Sequence, residues 1–343
     1  MPLRQDAVTY DHHVRFPFGK TPDPTPDPRP NPAAAGWQEP RIGELYPEFA
    51  PFTIATERRD WDTLRRRFAE LPTDVDPTWA VKAATEVDGC EAFLTKLAKK
   101  ERSSTLPRLL LGDRYITLAW EARTGKRAQY VSNDQFKVFF AYLQRAEKLL
   151  QSVTDDEPDN VAAWTTRITT ARGLQLDVAE ARRRYAMAAQ AFPNPVFAQR
   201  QMLMMLCPKW YGTFPEVHAF ARECDEAAPP GSINAAVVAD GYVEAALDIK
   251  TSNERIAFLS EPRVVEALRA AADRSVSHPN FLPTPGWIWA NSVFAYAFRF
   301  GGQYARALPL FQANGDRIVY PFANFKDPVA LWRSARKFCQ EHV

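Results

Sequence analysis

The sequence predicts an all-α protein: an α-solenoid of antiparallel helical hairpins behind an extended, proline-rich N-terminal arm. Three observations carry the prediction. From about Thr56 onward apolar residues recur three and four positions apart, the spacing of one helix face. Helix-start and helix-stop signals alternate along the same stretch. Only 14 of the 343 residues are glycine, few for a fold rich in tight turns, and no run of alternating β-branched residues is present.

The arm is assigned to residues 1–52 and a single helical-repeat domain to residues 53–343. Eleven of the 28 prolines lie between Pro2 and Pro51, and six alternate with polar or charged residues from Pro22 to Pro32. Such a run has few backbone donors and no helical period, so it reads as an extended polyproline-like segment, a linker or dangling arm. Beyond it, Trp61, Leu64, Phe68 and Leu71 share one helix face. Asp76 before Pro77 places a capping carboxylate ahead of a first-turn proline. Ser132 with Gln135, Thr213 with Glu216, and Thr251 with Glu254 each fit a capping box. Gly125, Gly173, Pro193, Pro208, Pro229-Pro230 and Pro279 are the corresponding stops. Helices of roughly 12 to 20 residues joined by short turns follow from this punctuation.

Composition narrows the partners. Lys and Arg number 43 against 41 Asp and Glu, and a net charge of +2 offers no broad field for nucleic acid or a membrane surface. The runs Arg65–Arg67 and Arg182–Arg184 read as solvated helix faces. No segment has the length and apolarity of a bilayer span. Cys90, Cys207, Cys224 and Cys339 are scattered, which suits a reducing compartment, and no apolar leader follows Met1, so the expectation is a cytoplasmic protein.

Within the helical stretch, residues 161–193 and 288–315 resemble tetratricopeptide repeats. In the first, Trp164 takes the tryptophan slot, Ala181, Tyr185 and Ala188 follow at second-helix spacing, and Pro193 closes the unit. In the second, Phe294 and Phe298 fill first-helix slots, Gly301-Gly302 turns the chain, and Tyr304, Ala307 and Phe311 continue; Asn291 stands where tryptophan is expected. Residues 105–153 match more faintly through Leu111-Gly112 and Tyr115. Residues 195–230 and 233–278 read as further hairpins. The segment from Pro208 to Gly212, with Phe220-Ala221-Arg222 and Pro229 to Ser232, is similar to bacterial repeat proteins of unknown function, with Tyr211 replacing a glycine usual there.

The resemblance implies a concave surface lined by the first helix of each hairpin, where such proteins bind a protein or peptide. Counting along the two repeats puts Trp289, Ser292, Tyr296, Arg299 and Phe300 in groove slots of one, and Ala162, Thr165, Thr169, Arg172 and Gly173 in those of the other. Arg172 and Arg299 are thus equivalent, and with Trp289, Tyr296, Phe300 and the turn residue Trp210 they are the candidate partner-binding set: aromatic walls with arginines for a carboxylate. The competing reading packs Trp289, Tyr296 and Phe300 against Leu331, Trp332 and Phe338, since twelve of the 42 aromatics fall between Phe281 and Phe325. Trp210 could likewise be tucked between hairpins.

Catalytic, cofactor and metal signatures do not emerge. GxSxG, P-loop, HExxH and GxGxxG patterns are missing from the sequence. His218 and Cys224 are six residues apart on one helix and point to different faces, a poor start for a metal site with Cys207. A binding scaffold is therefore the leading expectation. A sensor of a small molecule or signalling peptide, with Trp287, Trp289, Tyr296 and Phe322 enclosing a pocket, is the alternative. An enzyme with an unfamiliar all-α site is third.

Overall fold

The computed structural model describes residues 37–124 and 130–343, so the arm through Gly36 and the stop expected at Gly125 lie outside the described residues. Helices begin earlier than expected. α1 (Ile42–Leu45), a 3₁₀ turn (Pro47–Phe49), α2 (Ala50–Glu57) and α3 (Trp61–Ala69) form an N-terminal group. The boundary at residue 52 is thereby corrected: Tyr46, Phe49 and Phe52 are buried in the core. The prolines here do not prevent it. Pro47 and Pro51 occupy first-turn positions, where a missing N–H leaves no bond broken.

Fourteen more helices follow in chain order: α4 (Thr78–Thr85), α5 (Glu91–Lys100), α6 (Leu106–Arg123), α7 (Asn133–Asp156), α8 (Val161–Gly173), α9 (Val178–Ala191) and α10 (Val196–Leu206). Then come α11 (Phe214–Ala227), α12 (Ala236–Asp248), α13 (Ser252–Leu259), α14 (Pro262–Arg274), α15 (Trp287–Phe300), α16 (Tyr304–Asn314) and α17 (Pro328–Glu341). There is no strand among the described residues. No helix among them is long and apolar enough to cross a membrane.

Local chemistry explains the boundaries. Ser132 and Gln135 cap α7 reciprocally, as expected. At α11 and α12's successor α13 the box is one-sided. Thr213 and Thr251 accept the amides of Glu216 and Glu254, but their hydroxyls donate to those same carboxylates, which therefore do not reach back to the backbone. Asp76 accepts the Thr78 amide at 2.8 Å, and α4 starts one residue later than the Asp-Pro pair placed it, with Pro77 at the N-cap position instead of the first helical one.

Two kinds of helix differ in how they are buried. α4, α6, α8, α10, α12 and α15 form a row in which each touches the next. α7, α9, α11 and α14 each bridge two successive members of that row, while α5 leans on α6 and α16 on α15. The bridging helices bury a single stripe. Every residue of α8, by contrast, is buried. Its run of alanines and threonines permits this, because the side chains are short and Thr166 returns its hydroxyl to the Ala162 carbonyl at 2.7 Å.

The row curls onto itself. Trp79 on α4 packs against Phe197 on α10 with ring centres 4.4 Å apart. A Cβ on Gly286, the residue that opens α15, would fall 3.1 Å from the same indole. Tyr46 meets Trp79 edge-on at 5.1 Å and closes that junction from the N-terminal side. The face expected to be an open groove is therefore largely covered, by the far members of the row and by residues 42–52.

Candidate functional site

The six residues singled out in the sequence do not form one site. Three of them belong to the C-terminal packing. Tyr296, 1% exposed, lies among Phe300, Phe322 and Phe325, with ring centres 4.6, 5.4 and 6.0 Å away. Arg299 lies over Phe338 at 3.8 Å, and Trp332 wedges between Phe311 and Phe322. The physical reason is aromatic density: α15 is apolar over most of its circumference, so α17 and the 3₁₀ turn Phe322–Asn324 cover it. Tyr296, Arg299 and Phe300 are withdrawn as groove residues on this ground.

Arg172, Trp210 and Trp289 behave differently. Arg172 closes α8, and its guanidinium lies 5.5 Å from the Trp120 ring and 5.4 Å from the Trp210 ring. Those two indoles meet edge-on at 5.7 Å, and Arg123 also faces both, at 5.5 and 5.6 Å. Two cations thus share two indoles, an arrangement that draws α6, α8 and the 207–212 turn together. The turn is tightly fixed. A Cβ on Gly212 would sit 2.3 Å from the Leu206 carbonyl oxygen, and the Tyr211 hydroxyl donates to the Arg172 carbonyl at 3.2 Å. Trp210 is half-buried here and Tyr211 exposed.

Beyond Arg172 the face turns acidic. Asp240 and Glu244, one helical turn apart on α12, are both buried. Glu244 accepts from the Lys209 ammonium through one oxygen and from the Tyr320 hydroxyl, at 2.8 Å, through the other. Asp240 lies 3.6 Å from the Arg200 guanidinium. Arg200 in turn covers the Trp289 ring at 4.4 Å, and Trp289 is only 5% exposed. Trp289 is thus a wall of this face, buried beneath an arginine.

The electrostatics follow from burial. Loss of water lowers the Arg172 guanidinium to about 10, with the field of Cys207 and Glu244 opposing. The Asp240 carboxyl is pushed up to about 6, again by burial, with Arg200 pulling it back. Its folded value thus lies above the ordinary 3.8, so the native state keeps the proton longer than the unfolded chain does. Stability from this group is present below 3.8, falls as pH rises to about 6, and is level above. Asp240→Asn is expected to remove that fall, read as urea midpoints across the interval. Identical slopes in variant and wild type would contradict it.

Sequence reasoning missed Trp120, Arg200, Asp240 and Glu244. A signal existed for the last two: paired carboxylates four apart inside the otherwise apolar Ala236–Ala246 run, where a buried charge demands a partner. The three residues weighed for metal binding face separate partners. Cys207 Sγ lies 3.5 Å from the Leu203 carbonyl, Cys224 Sγ 3.9 Å from the Tyr185 hydroxyl, and His218 stacks on Tyr242.

Ala162, Thr165, Thr169 and Gly173, the remaining slots on α8, are interior as well; Thr169 donates to Gln201 at 3.0 Å. The sequence matches no protein-family model and no curated protein.

Proposed function

We propose that the hairpins form a tetratricopeptide-like solenoid, and that the chain is a binding scaffold that takes an acidic peptide or protein segment against the Lys209–Tyr211 rim, the exposed edge of the face from Trp120 to Trp289. One observation supports this above others. Charged and aromatic side chains from α6, α8, α10, α12, α15 and the 207–212 turn converge where helix packing alone calls for alanine and leucine. Groups so placed are costly to fold around, and binding sites are where such costs are kept.

The half-buried Trp210 and exposed Lys209 form the rim of that face, with aromatic area for anchoring and charge for selection. Burial of Arg172 and Trp289 favours a second reading, a sensor whose ligand is small enough to be enclosed.

An array of short acidic, basic and apolar peptides tests the first reading. Acidic peptides are expected to bind preferentially, and Trp210→Ala to weaken them about tenfold with helix content retained. Binding without charge preference, or untouched by Trp210→Ala, would refute it.

A further inference from the structure

We propose that Arg172 anchors an oxyanion site: its guanidinium takes the carboxylate or phosphate group of a ligand beside the contacting indoles of Trp120 and Trp210. The inference rests on the binding reading above, but not on the ligand being a peptide.

Comparison with the other buried arginines shows why. Four arginines are buried among the described residues: Arg114, Arg167, Arg172 and Arg184. Arg114 has Asp88, Glu91 and Glu121 within ion-pair distance. Arg167 and Arg184 share Glu147, and Arg184 also holds Glu180. Each of these obeys the rule that a buried charge is neutralised. Arg172, 8% exposed, has no carboxylate within ion-pair distance among the described residues.

The donors tell the same story. A guanidinium carries five N–H groups in a planar fork. Arg172 spends one on the Gln201 carbonyl at 3.4 Å, and its Nε has no partner. Glu244 is the carboxylate whose field reaches it, yet Lys209 and Tyr320 already hold both Glu244 oxygens. Asp240 is engaged with Arg200. The nearby carboxylate, Glu244, is thus turned toward another cation.

Trp120 and Trp210 supply what a polar wall would not. They attract the cation without neutralising it, and they offer flat apolar surfaces to the carbon skeleton beside the anion. The fork geometry of arginine suits both carboxylate and phosphate, so the shared chemistry is the oxyanion. Trp210 lies against the guanidinium, with the exposed Lys209 and Tyr211 on either side of it in the chain.

The test titrates the full chain with inorganic phosphate and, separately, with succinate, at constant ionic strength in chloride. Tryptophan fluorescence and the Nε–H resonance of Arg172 are followed. A saturable response in either arm, with that resonance displaced, is expected, and the stronger arm identifies the anion class. Arg172→Gln is expected to weaken it at least about tenfold, while Arg65→Gln on α3 leaves it intact. No saturable response in either arm, a response retained in Arg172→Gln, or an unmoved Nε–H resonance in the wild type would overturn the site. The last needs no variant, so misfolding of Arg172→Gln leaves the proposal exposed to refutation. Anion binding without peptide binding would keep this site and remove the peptide reading; peptide binding without an anion response would do the reverse.

Discussion

Glu147→Ala is expected to destabilise the chain by about 3–5 kcal/mol, the range for stripping the counterion from a buried ion pair. Glu147 projects from α7 into the joint with α8 and α9. One carboxylate oxygen accepts from Arg167 at 2.8 and 3.2 Å and from Arg184 at 2.9 Å. The other accepts from Arg184 at 3.0 Å and from the Thr170 hydroxyl. Without it Arg167 keeps only the Thr154 hydroxyl as a side-chain acceptor, although its side chain is 7% exposed. Arg184 still holds Glu180, so the loss falls mainly on Arg167.

Urea unfolding followed by circular dichroism checks this, and a change below about 1 kcal/mol would show that solvent reaches the joint. The same carboxylate sets an acid limit. Burial pushes it up, but Arg184 and then Arg167 hold it net below the ordinary 4.5. Because the folded value is the depressed one, its contribution is present above 4.5 and is lost as pH falls through the folded value.

How much of this was legible in the sequence depends on which interactions are local. The helices were legible, because capping and period are written within four or five residues. Asp76, Ser132 and the Gly301-Gly302 turn appear where their neighbours place them. The hairpins at 161–193 and 288–315 correspond to α8–α9 and α15–α16. Even the departure at Asn291 has a structural use. Its amide donates to Asn314, which donates to the Ile288 carbonyl, a polar stitch between the two helices that a tryptophan could not make.

What was not legible depends on long-range placement. Residues 42–52 were read as arm because of the proline-rich composition before them, yet what matters there is the burial of Tyr46 and Phe49 against Trp79 and of Phe52 against Phe49 and Phe68. Slot counting predicted which residues of α15 leave their own hairpin; it could not say that Phe322 and Phe325 return to cover Tyr296 and that Phe338 of α17 covers Arg299. It also treated Arg172 and Arg299 as equivalent. Both guanidinia face aromatic rings, Arg299 those of Phe300, Tyr304 and Phe338 and Arg172 those of Trp120 and Trp210, but of the two only Arg172 is buried.

Arg172→Met is the second large effect expected, and it works in the opposite direction from Glu147→Ala. A buried guanidinium with no counterion is a cost to the fold, which an unbranched apolar chain of similar length relieves while keeping contact beside Trp120 and Trp210. Tyr211 keeps its bond, because it donates to the Arg172 backbone carbonyl. Arg167→Met is the matched control: it would strand Glu147 in part and lower stability.

The most direct measurement is therefore the unfolding free energy of Arg172→Met beside that of the wild type, with the phosphate and succinate responses recorded on the same samples. The account predicts stability unchanged or raised by about 1–3 kcal/mol, together with loss of the anion response. A loss of more than about 3 kcal/mol would mean that the charge of Arg172 holds the fold together and is not reserved for a ligand.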